Sequence, residues 1–116
     1  MPDSIDDLSR ELRSFSEARD WGRFHSPKNL ASALVVEAGE LLEPFQWLSE
    51  AESLALSPDK LEAVADEMAD VLLYLVQLSS ALDVDLLDAA RRKLERNAVK
   101  YPADRARGHA RKYDEL

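Results

Sequence analysis

The sequence predicts an all-α protein built as a helical bundle. Apolar residues recur at intervals of three and four rather than two, which is the period of an amphipathic helix, and only three glycines occur in 116 residues. With 46% hydrophobic and 33% charged residues, the chain has an ordinary globular composition. Its length predicts one domain, small enough that another subunit is expected to cover part of its helical surface.

The first two helices follow from apolar periodicity and from a capping signal. A first helix is predicted from about Ser4 to Arg19, because its apolar residues lie on one side. Ser26 followed by Pro27 is a helix-start signal, since the hydroxyl caps the helix and proline suits its first turn. The second helix is predicted to run to about Leu48, with Pro44 bending it or ending its regular part.

The remaining helices are predicted in the same way. Ser57 and Pro58 repeat the start signal, so a third helix is expected from there to about Leu82. A fourth helix follows a break at residues 83–85 and is expected to stop before Pro102. We therefore predict a helical domain over residues 1–102 and a polar C-terminal tail over residues 103–116.

Charge and composition exclude several classes of partner. A net charge of −8 leaves no basic excess for a nucleic-acid backbone, so no nucleic acid polymer is expected as a partner. Cysteine is absent, which is compatible with a reducing compartment. The N-terminus does not resemble a signal peptide, and the longest apolar run, Val71–Val76, is too short to span a bilayer. We expect a cytoplasmic protein without a membrane partner.

Two pairs of acidic residues are the first candidates for a functional site. Glu37 and Glu40 are three residues apart, as are Glu67 and Asp70, so each pair projects from adjacent turns of one helix face. In a chain with 23 acidic residues, this spacing arises easily by chance. The spacing alone therefore decides nothing.

The positions of two of these acids on their helices are more informative. Glu37 and Glu67 each interrupt a stripe of otherwise apolar residues, formed respectively by Leu30, Leu34, Leu41, Phe45 and Leu48 and by Val64, Val71, Tyr74 and Leu78. A carboxylate facing a core needs a compensating cation. An all-carboxylate set suits a hard ion, so we predict a site for Mg²⁺ or Mn²⁺.

Two alternatives to this metal site follow from the same residues. The acids can lie at the edges of the stripes, where they are solvated or pair with arginines of the fourth helix. A carboxylate-bridged di-iron bundle is disfavoured, because it expects Glu-x-x-His repeats. The chain has only His25 and His109, and neither follows an acid at that spacing.

Other residues are candidates for contacts with a nucleotide. Lys93, Asn97 and Lys100 share one face of the fourth helix, which suits phosphate oxygens, and Tyr101 follows at its end. A solvated polar face is the alternative interpretation. Aromatic rings on which a base can stack flank the second helix, although core or loop packing explains each ring alone: Trp21, Phe24, His25 and Trp47.

Several sequence motifs resemble a known family. Glu37-Ala38-Gly39-Glu40-Leu41, residues 66–71 and residues 93–102 are similar to the all-α nucleoside triphosphate pyrophosphohydrolases of the MazG-like superfamily. The stretch from Arg19 to His25, together with Phe45-Gln46-Trp47, resembles the dCTP pyrophosphatase group within it. The resemblance covers nearly the whole chain.

This resemblance implies an activity and a set of site residues. The expected reaction is Mg²⁺-dependent hydrolysis of a nucleoside triphosphate, with dCTP as the expected substrate, to the monophosphate and pyrophosphate. Metal-binding and catalytic roles are implied for Glu37, Glu40, Glu67 and Asp70. Phosphate and sugar contacts are implied for Lys93, Asn97 and Tyr101, and base contacts for His25 and Trp47.

The resemblance also implies a homodimer or homotetramer, and it leaves the base open. The same chemistry on dUTP or on modified or other triphosphates is the nearest alternative. A non-catalytic helical module for dimerisation or regulation, with structural acids, is the alternative from another functional class.

Overall fold

The computed structural model of the chain describes residues 4–115, apart from the side chain of Tyr113. Residues 1–3 and 116, at the ends of the predicted domain and tail, lie outside the described residues. All regular structure in the described part is helical, with no strand, so the predicted all-α class is confirmed.

The regular structure of the described chain consists of six α-helices and two short 3₁₀ turns. The α-helices are α1 (Ile5–Ala18), α2 (Pro27–Leu42), α3 (Glu50–Ser53), α4 (Pro58–Ala81), α5 (Leu86–Lys100) and α6 (Ala103–Ala106). The 3₁₀ turns span Gly22–Phe24 and Tyr113–Glu115. The four longer α-helices correspond to the four that the sequence predicts.

Serine caps begin α2 and α4 as predicted. The Ser26 hydroxyl accepts a hydrogen bond from the Asn29 backbone N–H at 3.2 Å, and the Ser57 hydroxyl accepts one from the Lys60 backbone N–H at 3.3 Å. Each bond satisfies a backbone donor that the first turn of a helix leaves unpaired. These caps fix where the two helices begin.

The predicted end of the second helix at Leu48 is wrong. The regular helix stops at Leu42, two residues before Pro44, so the proline ends the regular part as predicted. Glu43 still has helical backbone angles, but Pro44 has no N–H to donate to the Glu40 carbonyl. The short helix α3 is missing from the sequence prediction, although Ser49 and Glu52 form a reciprocal capping box at its start, with bonds of 3.1 and 2.9 Å.

The chain divides into two compact units, Met1–Val84 and Asp85–Leu116. In the first unit, α2 and α1 both pack against α4. Apolar side chains buried in the described part are Leu30, Val64 and Val76. Leu30 and Val64 belong to the stripes that Glu37 and Glu67 interrupt, so those stripes face the core as predicted.

The second unit contains α5 and α6. The Asp85 carboxylate accepts a hydrogen bond from the Asp88 backbone N–H at 3.0 Å and so caps α5. The helix ends at Lys100, before Pro102, as predicted. Residues 103–106 of the predicted polar tail form α6. The boundary between a domain over residues 1–102 and a tail over residues 103–116 stays a prediction.

No helix in the described range 4–115 combines the length and the apolar character that crossing a membrane requires. The cytoplasmic location that the sequence suggests stays a prediction.

Candidate active site

The packing of α2 on α4 brings the two pairs of acidic residues together. One carboxylate oxygen from each of Glu37, Glu67 and Asp70 lies within 4.8 Å of the others. Glu40 lies one turn after Glu37 on α2 and interacts with the Glu37 carboxyl by a side-chain hydrogen bond. We call these four residues the acid cluster.

Two oxygens of the acid cluster are buried without a hydrogen-bond partner. Oε2 of Glu37 and Oε2 of Glu67 are both inaccessible, and neither is bonded to another of the described residues. Buried polar atoms in native proteins nearly always have a partner. A cation bound between Glu37 and Glu67 would supply the partner that these buried carboxylate oxygens lack.

The cluster also shifts the pKa of its own members. Burial raises the pKa of the Glu37 carboxyl to about 7, and the hydrogen bond and negative charge of Glu40 act in the same direction. Burial is also the largest cause that raises the pKa of Glu67, and the negative charges of Glu40 and Asp70 raise it further. The negative charges of Glu40 and Asp70 therefore disfavour ionisation of Glu37 and Glu67, and a bound cation would compensate this effect.

The donor set identifies the class of cation that the cluster can hold. All of its ligand atoms are carboxylate oxygens, which are the ligands of hard divalent ions. The spacing within 4.8 Å permits several of these oxygens to coordinate one ion. The residues present thus fit a divalent metal ion, as the sequence predicts.

A cavity of about 180 Å³ lies beside the acid cluster in the first unit. Asp70 belongs both to the cluster and to the wall of this cavity. Other lining residues include the rings of Trp21, His25 and Tyr74 and the amide of Gln77. Aromatic faces next to a group of acids provide a place where a planar base can stack close to a metal-bound phosphate chain.

His25 and Trp47, the residues expected to contact the base, lie in different surroundings. His25 lines the cavity, with its ring packed edge-to-face on Trp21 at a centroid distance of 6.5 Å. Trp47 lies in the turn after α2, is 86% exposed, and is not among the residues that line this cavity. Both roles stay predictions.

The candidate phosphate-binding residues belong to the second unit. Lys93 and Asn97 are four residues apart on α5 and therefore share one face of that helix. Tyr101 directly follows α5, and its backbone N–H donates a hydrogen bond to the Asn97 carbonyl at 2.8 Å. The roles of these three residues as substrate contacts stay predictions.

Tyr74 and Gln77 line the cavity but are absent from the set of site residues that the sequence predicts. Tyr74 belongs to the apolar stripe of α4, where an aromatic ring is indistinguishable from core. Gln77 follows Asp70 by seven residues, so both lie on one face of α4. An amide within the otherwise apolar run of residues 71–78 is the signal that identifies this position.

Comparison with known proteins finds similar proteins over most of the chain. Residues 33–116 match the MazG-like family. The dCTP pyrophosphatase 1 proteins of Rattus norvegicus and Homo sapiens are each 44% identical to this chain over 115 residues, which cover 97% of this chain and 68% of the relative. A crystal structure of a pyrophosphatase from Archaeoglobus fulgidus superposes with a TM-score of 0.80 at 39% identity, covering 84% of this chain and 92% of that chain.

Proposed function

This chain belongs to the MazG-like family and is a nucleoside triphosphate pyrophosphohydrolase, and we propose that it hydrolyses dCTP to dCMP and pyrophosphate with a bound Mg²⁺ ion. The choice of dCTP is supported by the relatives named dCTP pyrophosphatase 1. Because the matched relatives and the solved neighbour are named as enzymes, the alternative of a non-catalytic dimerisation or regulatory module is set aside.

The observation that carries this proposal is the pair of orphaned carboxylate oxygens on Glu37 and Glu67, next to the ligand oxygen of Asp70. In the proposed site these three residues hold the ion, and Glu40 is the fourth ligand. A bound Mg²⁺ ion would neutralise charge on the phosphate oxygens and lower the pKa of a water molecule.

The other residues are proposed to bind and orient the nucleotide. His25 contacts the base, because it lines the cavity next to Asp70. Trp47 is the second proposed base contact. Lys93 and Asn97 are proposed to bind phosphate oxygens from one face of α5, with Tyr101 contacting the sugar or a phosphate. Their positive and amide groups suit the negative charge of the triphosphate.

We also propose that the protein is a homodimer or homotetramer. Large apolar side chains remain exposed on both helices that carry the acid cluster, including Val35 on α2 and Met68 on α4. Exposed large apolar side chains on neighbouring helices are typical of a subunit interface. A second copy of the chain is the proposed cover for this surface.

Product analysis across a panel of triphosphates tests the proposed reaction. The protein is incubated with dCTP, dUTP, dTTP, dATP or CTP in Mg²⁺, and the products are separated by anion-exchange chromatography. We expect the highest kcat/KM with dCTP, equal amounts of dCMP and pyrophosphate, and no turnover in excess EDTA. Higher kcat/KM with dUTP would overturn the assigned base, and release of inorganic phosphate in place of pyrophosphate would overturn the assigned bond.

A further inference from the structure

Gln77 lies in the wall of two neighbouring cavities of the first unit. It lines the cavity of about 180 Å³ that includes Asp70 and Trp21, and it also lines a second cavity of about 290 Å³ that extends towards Arg13 and Ser80. A molecule bound in the cavity beside the acid cluster could therefore contact the Gln77 amide.

The Gln77 amide oxygen is buried and has no hydrogen-bond partner among the described residues. Polar groups on the neighbouring turn of α4 are bonded elsewhere: the Ser79 hydroxyl donates to the Val76 carbonyl at 2.7 Å, and the Ser80 hydroxyl accepts from Arg13 at 3.0 Å. A buried acceptor without a donor destabilises the fold, so it calls for an explanation. A ligand that donates a hydrogen bond to the Gln77 amide oxygen would explain why this oxygen has no partner within the described chain.

The chemistry of an amide matches the edge of a cytosine base. The amide oxygen accepts up to two hydrogen bonds and the amide nitrogen donates two. Cytosine offers an amino donor at position 4 and an acceptor at ring nitrogen 3, so one amide can bond both. The rings of Trp21 and Tyr74 line the same cavity and provide faces on which the base can stack.

Asp70 connects this recognition to the reaction site. Its carboxylate belongs to the acid cluster and also borders the cavity that Gln77 lines two helical turns further along α4. A base in the cavity and a metal-bound phosphate chain at the cluster would therefore lie on two sides of one residue. This is the placement that a single bound nucleotide requires.

We propose that Gln77 recognises the base, with its amide hydrogen-bonding position 4 and ring nitrogen 3 of cytosine in the cavity beside Asp70; this inference rests on the proposed function. No described residue fixes the orientation of the amide. A half-turn of the amide therefore lets it bond uracil as well, which presents an acceptor at position 4 and a donor at nitrogen 3. Gln77 thus selects for an edge that can hydrogen-bond rather than for cytosine over uracil.

The test compares two substrates in two proteins. The substrates are dCTP and the analogue triphosphate whose base is 2-pyrimidinone, which has hydrogen in place of the 4-amino group. The proteins are the wild type and Gln77→Met, which keeps the side-chain length and removes the amide. Ser80→Ala is the control, because Ser80 lines only the larger of the two cavities.

We expect kcat/KM of the wild type to fall about tenfold or more when the 4-amino group is absent, because the buried amide oxygen then stays unpaired. In Gln77→Met, kcat/KM for dCTP should fall by a similar factor, and the two substrates should become nearly equivalent. The melting temperature should not decrease, because an apolar side chain replaces an unsatisfied polar one. Ser80→Ala should keep the wild-type ratio of the two substrates.

The outcomes separate the two proposals. If wild type hydrolyses dCTP but Gln77→Met lowers kcat/KM equally for both substrates, the base-recognition role is wrong and the proposed function stands. If wild type hydrolyses neither substrate, both proposals fail. If Gln77→Met does not fold, Gln77→Ala is measured in the same way, and an unchanged ratio between the substrates overturns the role of Gln77.

Discussion

The metal-free fold stabilises negative charge poorly at Glu37 and Glu67. Burial is the first cause of the raised pKa of both carboxyls, and nearby acids add to it. The pKa of Glu37 reaches about 7, compared with an ordinary value of 4.5. The folded chain therefore holds protons more tightly at these carboxyls than the unfolded chain does.

This difference predicts how the stability of the metal-free protein depends on pH. Stability from protonated Glu37 is fully present below pH 4.5 and is lost as pH rises through about 7. We expect the melting temperature in excess EDTA to fall between about pH 5.5 and pH 7.5. Asp7 and Glu52, whose pKa values are lowered, act in the opposite direction, but only near and below their ordinary values of 3.8 and 4.5.

The control for this measurement is a pair of matched variants. Glu37→Gln keeps the shape of the side chain and removes its titration, so its melting temperature should fall less steeply over the same pH range. Glu62→Gln, at an exposed position of α4, should follow the wild type. Identical pH dependence in Glu37→Gln and the wild type would show that the burial of Glu37 does not govern the effect.

The sequence predicts the face of each acid better than the distances between them. Helix periodicity places Glu37 and Glu67 in stripes with Leu30 and Val64, and both stripes face the core. Periodicity does not predict side-chain rotamers, and these bring Asp70 rather than Glu40 into the group of oxygens within 4.8 Å. The sequence also does not predict the cavity beside the cluster, because this cavity depends on how α1 packs against α4.

At the level of elements, α4 is central because it carries Glu67, Asp70 and Gln77 on a single helix of 24 residues. Its start is fixed by the Ser57 hydroxyl and by Pro58 in the first turn. The sequence predicts this start because capping is local chemistry. The end of α2 is harder to predict than the start of α4, because apolar residues continue at helical spacing beyond Leu42 into the turns around Pro44.

Removal of the α4 cap should lower stability without removing a site residue. We expect Ser57→Ala to lower the free energy of unfolding by about 1 kcal/mol, because the Lys60 backbone N–H loses its partner. Urea denaturation followed by circular dichroism measures this. Ser14→Ala, at an exposed position inside α1, is the control and should leave stability unchanged or raise it slightly. Equal stability of Ser57→Ala and the wild type would contradict the role of the cap.

On the molecule as a whole, many large apolar side chains remain exposed. Leu61, Met68 and Leu72 follow one another at helical spacing along α4, and all three are exposed. Met68 follows the buried Val64 by four residues, so this stripe continues the buried face of α4 into the exposed surface. A helix whose apolar face extends beyond the part that its own chain buries is typical of one that packs against a further subunit.

A charge on this stripe should separate the subunits. We expect the wild-type protein to have the mass of a dimer or tetramer by light scattering. Met68→Glu should shift it to a smaller assembly, because each interface would then bury an unpaired carboxylate. Ala55→Glu adds the same charge at an exposed position outside the stripe and should keep the wild-type mass. A wild-type protein with the mass of one chain would contradict the proposed interface.

The role of the acid cluster as a metal site is tested most directly by Mg²⁺-dependent turnover of dCTP in Glu67→Gln compared with Glu62→Gln. Both variants replace one carboxylate of α4 by an amide, but only Glu67 contributes a buried orphaned oxygen to the acid cluster. We expect Glu67→Gln to lower kcat at least about a hundredfold at saturating Mg²⁺, and Glu62→Gln to match the wild type. If Glu67→Gln retains wild-type kcat and the same dependence on Mg²⁺, the acid cluster is not the metal site of this enzyme.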